Sequence, residues 1–396
     1  MLDHAPGDEK PDAMAPITTA RPLAEVRAGG RIIRERWECA LGKRITGVIA
    51  SSRHRGFSEP GAAPVLEDDD VLDAGSIVAR SHFAPHLTLM PLGGAESMAF
   101  GETIVAQTLS SPATVRDVRR MPFRTGSGTR QLEGWLIERP WELIGHLPAM
   151  LTADAERIAA DMSPRELPPD VRVIGSHPVR IDPTATIEPF VVLDATQGAI
   201  VIEAHAVVRS FSRLGGPFVL GSRSQWMAGS GQTVSVGDNC RVSGEVSTTI
   251  LCGHANKGHD GFVGHSYLGR WTNLGAGTVT SNLKNTYGSV SFDGVETGLQ
   301  FLGSLLGDHA KTGILTRLTT GSSIGAGANV ISDDVVPSVM PAFAWGSRGE
   351  RYDLARFLQT AERVMARRQV VLSDSMRECL TAVYRATTGP ALPTGS

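Results

Sequence analysis

Aliphatic residues in the middle of the chain recur at every sixth position. The recurrence runs from residue 181 to residue 336 and restarts after short insertions. A period of six fits neither the 3.6-residue turn of an α-helix nor the two-residue alternation of a strand. It is typical of a parallel β-helix, in which each hexapeptide forms one short strand and one turn. The recurring positions are Ile181, Ile187, Leu193, Ile202, Val208, Leu214, Leu220, Trp226, Val236, Val242, Leu268, Leu274, Leu306, Thr312, Leu318, Ile324, Val330 and Val336.

Glycine is concentrated in this repetitive part of the chain. Residues 166–346 contain 26 of the 44 glycines, which often follow a recurring residue directly, as at Leu214-Gly215. Glycine permits turn conformations that side chains obstruct, and the narrow prism of a β-helix explains why aromatic residues are only 6% of the chain. A β-sandwich with chance spacing is the alternative, but two runs of consecutive hexads favour the β-helix. No Gly-X-Y period occurs, which excludes collagen.

The flanking segments have a different pattern. Before the repeats, the spacing predicts a helix from about Arg31, short strands over 44–50 and 135–138, and a helix over 153–162. After Pro341, amphipathic stripes predict helices over 351–367 and 373–385 that pack on the β-helix or between subunits. We therefore predict a disordered tail over 1–16, an α/β domain over 17–165, a β-helix over 166–345 and a helical C-terminal segment over 346–396.

Two polar, glycine-rich segments interrupt the period, at 253–262 and 281–300. Insertions in a solenoid emerge as loops, and such loops commonly build the binding face. The second insertion is long enough to form an arm. We expect the chemistry of the protein to lie beside these two segments.

The bulk composition limits the partners and the compartment. A net charge of −3 with 20% charged residues does not favour nucleic-acid binding. No apolar run is long enough to span a membrane, and the four cysteines are too few and too dispersed for a disulfide framework. The acidic, proline-rich start does not resemble a signal peptide. We expect a cytoplasmic protein without nucleic-acid or membrane partners.

The hexapeptide pattern resembles the left-handed β-helix acyltransferases. The stretches Gly264–Gly269 (GHSYLG) and Asn273–Thr278 (NLGAGT), with Ser281-Asn282, are similar to the acetyltransferase half of the bifunctional N-acetylglucosamine-1-phosphate uridyltransferase/glucosamine-1-phosphate acetyltransferase family. Upstream, Arg21–Arg27 (RPLAEVR) and Arg139–Leu143 (RPWEL) resemble a divergent branch of that family. The resemblance covers residues 17–345 and implies a nucleotidyltransferase-like α/β domain, although a degenerate one, before a left-handed parallel β-helix.

The resemblance also implies an activity. It is the transfer of an acyl group from acetyl-CoA to the amine of an amino-sugar phosphate, glucosamine 1-phosphate or a nucleotide amino-sugar, in UDP-N-acetylglucosamine-type synthesis. It implies a homotrimer whose sites lie between neighbouring subunits, and a role in cell-envelope precursor synthesis. The residue roles carried over are a catalytic base for His265, sugar-phosphate contacts for Tyr267, Asn273, Lys257 and Lys284, and acetyl-CoA contacts for Asn282 and Ala326.

The chemistry of the reaction fits these residue types. A histidine whose pKa is near 6.5 accepts the proton of an attacking amine at neutral pH. Backbone N–H groups in the turn Gly275-Ala276-Gly277 are candidates to stabilise the oxyanion of the thioester carbonyl. For a lone histidine a structural role is the better hypothesis, but the surrounding GHSYLG sequence favours catalysis by His265.

The N-terminal domain lacks the phosphate-binding signature of its own family. A nucleotidyltransferase needs a glycine-rich loop after its first strand, and residues 16–20 (PITTA) contain none. The late stretch 126–130 (GSGTR) is interpreted as a surface turn, and the acidic run 67–70 as a solvated loop rather than an Mg²⁺ site. Mg²⁺ is expected only if this domain is active. The candidate nucleotide-binding residues are Arg21, Arg27 and Lys43.

Two alternatives remain open. Cys252, His254, His259 and His265 lie within 14 residues, a density that also suits a β-helical zinc carbonic anhydrase, with His205 as a remote third ligand. The 281–300 arm argues against that class, and we assign no metal site. The other alternative is a non-catalytic sugar-nucleotide-binding or regulatory protein that has kept the fold.

Overall fold

The computed structural model describes residues 1–3, 13–126, 128–347 and 350–387. In this part of the chain, no helix is both long and apolar enough to span a membrane. The N-terminal segment folds into short strands and helices, which are β1 (Arg27–Ala28), β2 (Arg31–Ile32), α1 (Ile33–Leu41), β3 (Val71–Leu72), β4 (Ile77–Ala79), β5 (Phe83–Pro85), β6 (Ser97–Phe100), β7 (Thr103–Thr108), β8 (Ala113–Thr114), α2 (Val115–Arg120), β9 (Arg130–Gln131), β10 (Gly134–Leu136), α3 (Glu142–Gly145) and α4 (Leu147–Ala160).

This segment is the predicted α/β domain. Its largest sheet has the order β4-β7-β6-β9, and α1 packs beside β5 with the Trp37 ring buried against Phe83. Helix α4 lies against the β-helix strands that follow. It begins six residues before the predicted start, because Pro148 fits the first turn of a helix. The predicted strand over 44–50 is reduced to isolated bridges at Val48 and Ile49.

The prediction of a disordered tail over 1–16 is wrong where the structure describes it. The Met1 amine donates a hydrogen bond to the Gly47 carbonyl at 2.7 Å, and Leu2 bridges Ile49 and Arg80 in parallel fashion. Met14 is buried in the domain core. The apolar residues among the polar ones therefore pair with the sheet, whereas residues 4–12 lie outside the described residues.

The repetitive segment forms the predicted parallel β-helix. Its strands, including a short hairpin in the arm, are β11 (Arg172–Gly175), β12 (Val179–Ile181), β13 (Thr186–Ile187), β14 (Val192–Ala195), β15 (Ile200–Ile202), β16 (Val207–Val208), β17 (Ser212–Leu220), β18 (Gln225–Val236), β19 (Arg241–Leu251), β20 (Asn256–Lys257), β21 (Phe262–Gly264), β22 (Tyr267–Leu268), β23 (Val279–Thr280), β24 (Ser291–Phe292), β25 (Val295–Glu296), β26 (Ser304–Leu306), β27 (Lys311–Thr312), β28 (Arg317–Leu318), β29 (Ser322–Ile324), β30 (Asn329–Val330), β31 (Val339–Met340), β32 (Ala344–Trp345) and β33 (Glu350–Arg351).

The coils of the β-helix stack along one sheet with the order β11-β14-β17-β18-β19-β22-β26-β29-β31. Leu305 pairs with Ser323, 18 residues further on, so one coil here consists of three hexapeptides. Ser230 instead pairs with Glu245, only 15 residues further on. The long strands β17, β18 and β19 continue across hexapeptide borders, so the coils there are shorter and less regular.

The corners of the coils are columns of residues in the left-handed backbone conformation. Their φ angles are between 51° and 69° in one column, which includes non-glycine residues on most coils. Stacked backbone hydrogen bonds, such as His254 N–H to Asp238 and His309 N–H to Arg270, connect successive corners. The members of this column, which we call the histidine corner, are His205, Arg223, Asn239, His254, Trp271, His309, Gly327 and Phe343.

The C-terminal segment contains the two predicted helices, α5 (Leu354–Ala366) and α6 (Asp374–Ala386). Asp353 and Ser373 cap their N-termini, each accepting a hydrogen bond from a backbone N–H three residues on. The apolar faces of the helices cover the end of the histidine corner, where Phe343 contacts Phe357 edge to face. The helices are therefore packing elements, which lie against the β-helix and, through α6, against the N-terminal domain at Phe57.

Candidate active site

His265 lies at a corner of the β-helix, next to the longest insertion. Strand register aligns Gln232, Ser247 and Gly264 on successive coils, so Thr233, Thr248 and His265 follow at equivalent corner positions. All three have positive φ, 49° for His265. The His265 N–H donates to the Ser247 carbonyl, and the His265 carbonyl accepts from Gly303. The backbone therefore fixes the point from which the imidazole projects.

The two ends of the 281–300 insertion hold the His265 ring. Asn282 lies at the first end, with its side-chain amide 2.8 Å from His265 Nδ1. Phe301 lies at the other end and stacks on the imidazole, with ring centroids 5.1 Å apart. Burial lowers the pKa of His265 below its usual value of 6.5, so the ring is neutral at pH 7. A half-buried neutral histidine is suited to accepting a proton.

The insertion itself, residues 281–300, is a folded arm rather than a loose loop. Leu283 bridges Phe301 at its base, Val290 and Leu299 are hydrogen-bonded in its middle, and β24 and β25 form a hairpin at its tip. Phe292 at the tip contacts Trp141 of the N-terminal domain, with centroids 5.7 Å apart. The arm therefore connects the His265 corner to the N-terminal domain.

Tyr267 does not lie at a position from which it could contact a substrate beside His265. Its side chain is fully buried in the core that the two domains share. The Tyr267 hydroxyl accepts a hydrogen bond from the Arg27 backbone N–H at 3.3 Å. This structure corrects the expectation from the resemblance, because a ring enclosed by both domains cannot reach a ligand beside His265.

Asn273 belongs to a polar ladder on the outside of the coils. Its carboxamide oxygen accepts a hydrogen bond from Asn256 Nδ2 at 2.7 Å, and its backbone bridges Asn256 on one side and Lys311 on the other. Burial lowers the pKa of Lys311 to about 8. Lys311 was not predicted as a site residue. It directly precedes the inward-pointing Thr312, so the six-residue period already places its side chain in this outward row.

The two predicted phosphate-binding lysines have different environments. Lys257 pairs with the inward-pointing Val242 of the neighbouring coil, so its side chain also points inward. Its ammonium donates to the carbonyls of Ser243 and His259 at 2.7 Å each. Burial lowers its pKa to about 8. Lys257 is therefore a buried structural group, which corrects the prediction. Lys284 is half-buried on the arm. The pKa of the nearby Glu296 is lowered mainly by a hydrogen bond from Ser291, and the Lys284 charge adds to this effect.

Two expectations for acetyl-CoA contacts are also corrected. Ala326 is buried under the C-terminal helices, in one cluster with Phe343 and Phe357, and does not line an open groove. In the proposed oxyanion turn, the Gly275 N–H donates to Thr312 and the Gly277 N–H donates to Asp260. These two amides are paired within the coils and are not free to stabilise an oxyanion. Asn282, by contrast, does lie beside His265.

The predicted nucleotide-binding arginines hold the two domains together. Arg21 is fully buried and pairs with Asp308 of the β-helix at 2.7 Å and with Glu59 at 3.2 Å. Arg270 pairs with the same Glu59 at 3.1 Å and with Asp238 at 2.7 Å. We call these five groups the interdomain ion network.

The network explains the charge states of its members. Burial alone raises the pKa of Glu59, but Arg21 and Arg270 outweigh it and hold that pKa below its usual value. Arg27 donates to Ser235 at 2.8 Å and is likewise a domain contact. These two arginines are therefore structural, which corrects the prediction, whereas Lys43 is exposed.

The histidines considered for zinc do not converge. His254 is buried in the histidine corner between Arg270, whose Nη2 lies 2.6 Å from its Nδ1, and the Trp271 ring at 4.0 Å. His259 and His205 are exposed on other parts of the surface. Among the described residues, no group of three or more histidine, cysteine, aspartate or glutamate side chains is close enough to hold a metal ion.

The suspected loops of the N-terminal domain lie at its surface. In the 126–130 stretch, the Gly126 N–H donates to Ser97 Oγ and Thr129 Oγ1 donates to the Gly126 carbonyl, while Ser127 lies outside the described residues. In the acidic run 67–70, Asp68 and Asp69 form ion pairs with arginines of α2.

A cavity of about 570 Å³ lies between the N-terminal domain and the tip of the arm. Arg80, Arg139 and Trp141 line it on the domain side, and Asp293 lies on the arm side. Asp3 also lines it, but its carboxylate accepts hydrogen bonds from Ser81 and the backbone of Leu23 and Ala24. Local sequence patterns do not reveal this cavity, because the arm closes it from a distant part of the chain.

Comparison with known proteins finds one matching family model and several similar proteins. Residues 7–163 match the sugar nucleotidyl transferase family. The bifunctional protein GlmU of a Synechococcus strain is 31% identical over 41% of this chain and 32% of its own length, and GlmU of a Jannaschia strain is 29% identical over 40% and 32%. A bifunctional sugar-1-phosphate nucleotidylyltransferase/acetyltransferase of Sulfurisphaera tokodaii is 31% identical over 24% of this chain and 25% of its own length.

The chain therefore spans about a third of the length of the curated relatives it matches. A solved structure from Bacillus cereus, described as an acetyltransferase, aligns with 56% of this chain at 11% identity and a TM-score of 0.24, a likeness that carries no argument. The comparisons confirm the resemblance predicted from the sequence as a similarity over part of the chain, to a sugar nucleotidyl transferase model over 7–163 and to GlmU proteins.

Proposed function

We propose that the protein is an acetyltransferase that acetylates the amine of an amino-sugar phosphate with acetyl-CoA as donor. One observation carries the proposal: a neutral, half-buried His265 held between Asn282 and Phe301 at the base of the arm. The bifunctional relatives support the same class of reaction. Glucosamine 1-phosphate is the first substrate to test.

The reaction follows from what His265 can do with a proton. The substrate amine attacks the thioester carbonyl, a C–N bond forms, and the C–S bond breaks as the thiol of CoA leaves. His265 accepts the amine proton and returns it to the departing sulfur. If Nε2 is the atom that accepts the proton, Nδ1 must carry the ring hydrogen. The Asn282 side chain then turns its amide oxygen toward Nδ1–H, an orientation compatible with the 2.8 Å between the two groups.

Release of free CoA from acetyl-CoA and glucosamine 1-phosphate tests the proposal. His265→Asn should lower kcat by about 10²-fold or more, because general base catalysis contributes at least that much. His259→Asn is the matched control, since His259 lies on the neighbouring loop and is exposed. Equal rates for the wild-type protein and His265→Asn would overturn the assignment of the base.

We also propose a homotrimer, as in other β-helix acyltransferases. An apolar strip near the last coils supports it, because Val279, Ile314, Leu315 and Ile331 are all exposed, with Ile314 73% accessible. Sedimentation velocity should show three copies, and Leu315→Lys should reduce the mass toward that of one copy. A monomeric wild-type protein would contradict the proposal.

A second candidate function rests on the cavity beneath the arm tip. Its volume of about 570 Å³ suits a nucleotide-sized ligand, and residues 7–163 match the nucleotidyl transferase family. Sugar-nucleotide binding without turnover is the form of this candidate that the structure favours. Among the described residues, no group of three or more histidine, cysteine, aspartate or glutamate side chains lies at this cavity to hold a metal ion. Calorimetry with UDP-N-acetylglucosamine tests it.

A further inference from the structure

Four arginines meet where the end of α5 lies against the β-helix. Arg367 caps the C-terminus of α5 and Arg368 follows it, while Arg209 and Arg241 come from the same face of the coils. Nη1 of Arg241 donates to two backbone carbonyls beside the histidine corner, at 2.9 and 3.2 Å. We call these four side chains the arginine cluster.

The charges of the arginine cluster act on one another. Burial and the charges of Arg368 and Arg209 lower the pKa of Arg241. Burial and the charge of Arg367 lower the pKa of Arg368. Half-buried like charges raise the free energy of the folded protein, because each guanidinium is partly desolvated beside another cation. An anion placed among them would remove this penalty.

The protein does not supply that anion from its described residues. In the described ranges, none of the four arginines forms an ion pair, and Arg368 makes no side-chain hydrogen bond. Asp238 beside the corner is already paired with Arg270 at 2.7 Å, and Glu362 of α5 is paired with Arg377 at 3.4 Å. The forks of the guanidinium groups therefore remain available to oxygens of a ligand.

The arginine cluster lies on the side of the prism opposite His265. Along one coil, the chain passes through β20, then β21, then the corner at His265 and then β22. Arg241 lies at the start of β19, which pairs with β20, so the cluster belongs to the side that does not meet the His265 corner. Within one subunit, a ligand here is separate from the site of the proposed reaction.

We propose that the arginine cluster binds a small anion with several linked phosphate groups, which joins the end of α5 to the β-helix. Linked phosphates carry several negative charges on a short chain, so one molecule can contact guanidinium groups of both elements. A single phosphate reaches fewer of them and should bind more weakly. Free tripolyphosphate and nucleoside triphosphates share this chemistry. The inference goes beyond the proposed function and does not depend on acetyl transfer.

Calorimetry of the full-length protein with inorganic tripolyphosphate tests the binding. We expect a saturable site whose affinity falls as NaCl is added. Arg368→Met should weaken binding about tenfold or more, since it removes a charged hydrogen-bond donor. Arg356→Met is the matched control, because Arg356 is exposed at the other end of the same helix and its loss changes the net charge equally. Its affinity for tripolyphosphate should equal that of the wild-type protein.

A second ligand distinguishes the two sources of linked phosphates. If ATP binds with the affinity of tripolyphosphate and with the same dependence on Arg368, the phosphate chain alone is recognised. If ATP binds more tightly with that dependence, the ligand is a nucleotide. Both results support the arginine cluster as the phosphate site.

Stability and exchange measurements test the connection between α5 and the β-helix. Arg368→Met removes a repelling charge and no hydrogen bond, so the Tm without ligand should rise. Tripolyphosphate should raise the Tm of the wild-type protein and slow backbone hydrogen exchange over Leu354–Ala366, because it binds the folded state. Both responses should be largely lost in Arg368→Met and kept in Arg356→Met.

Three results would overturn the inference. Equal tripolyphosphate affinity in the wild-type protein and Arg368→Met would remove the arginine cluster as the site. Binding without slower exchange in α5 would remove the connection to the β-helix. Tighter binding of a single-stranded oligonucleotide than of tripolyphosphate would replace the small anion with a nucleic acid. These readouts do not involve CoA release, so the proposed function and this inference can fail independently.

Discussion

At the scale of single residues, the surroundings of a histidine decide its role. His265 and His309 have nearly the same backbone conformation, with φ of 49° and 60°. His265 meets the ends of a polar arm and keeps part of its ring accessible, whereas His309 is 2% exposed, T-shaped to the Phe357 ring, with Nδ1 unpaired. The residues around His265 predict its role as a base, which stays a prediction, whereas the local sequence does not reveal the burial of His309 by a distant helix.

The buried histidines predict acid sensitivity. Burial, aided by Arg270, lowers the pKa of His254 to about 4, and burial lowers that of His309 to about 3. Their unfolded pKa is near 6.5, so the unfolded chain binds the protons first. The stability that these neutral rings contribute is complete above pH 6.5 and is lost as the pH falls toward 4, by up to ~1.4 kcal/mol per pH unit for each proton.

Urea titrations between pH 7 and pH 4 check this expectation. His309→Gln should flatten the fall of the urea midpoint with decreasing pH. His205→Gln is the matched control, since His205 lies in the same corner column with a φ of 58° but is exposed. A pH dependence in His309→Gln as steep as in the wild-type protein would contradict the pKa assignment.

At the scale of elements, the hexapeptide pattern predicted the β-helix but not its deviations. The period marks which residues point inward, and most of those positions are buried aliphatic residues. The coils around β18 and β19 are shortened because of how these strands pair with each other. The spacing of apolar residues along the sequence does not predict this pairing. The same holds for Lys257, which occupies an inward position that the pattern reserves for an apolar side chain.

Trp226 and Gly231 show how one large ring fits into the narrow prism. Trp226 is fully buried at a hexad position and lies against Phe218 at 5.3 Å. A Cβ on Gly231 would lie 2.6 Å from Cη2 of Trp226, so the absent side chain makes room for the ring. The glycine here serves packing between coils rather than a turn.

Gly231→Ala should therefore destabilise the β-helix by about 1–3 kcal/mol through overpacking. Thermal denaturation measures the loss as a lower Tm. In a Trp226→Leu background, where the ring is gone, the same substitution should cost clearly less. An equal loss of Tm in both backgrounds would show that the two residues do not compete for space.

At the scale of the whole molecule, buried charges join the two domains. Arg21 and Glu59 come from the N-terminal domain, and Asp238, Arg270 and Asp308 come from the β-helix. Arg21 was a candidate for binding a ligand phosphate, because an arginine in a family motif does not indicate whether its partner is a ligand or another domain. The corresponding partner, Asp308, lies 287 residues away in the chain.

Removal of one charge from the interdomain ion network should weaken the contact between the two domains. Arg21→Met leaves Asp308 and part of Glu59 buried without compensation, which costs about 3–5 kcal/mol. We expect a lower urea midpoint and faster hydrogen exchange at the interface in Arg21→Met. The control Arg116→Met, which breaks an exposed pair with Asp69, should stay near the wild-type midpoint. Equal midpoints for the two variants would show that the network does not stabilise the interface.

The pH dependence of CoA release from acetyl-CoA and glucosamine 1-phosphate tests the central claim most directly. Because burial lowers the pKa of His265, kcat should rise with pH through a midpoint below 6.5 and reach a plateau at neutral pH. In His265→Asn the residual rate should lose this transition, while His259→Asn should keep it. A wild-type profile without a transition below pH 6.5, or one that His265→Asn retains, would contradict the assignment of His265 as the base.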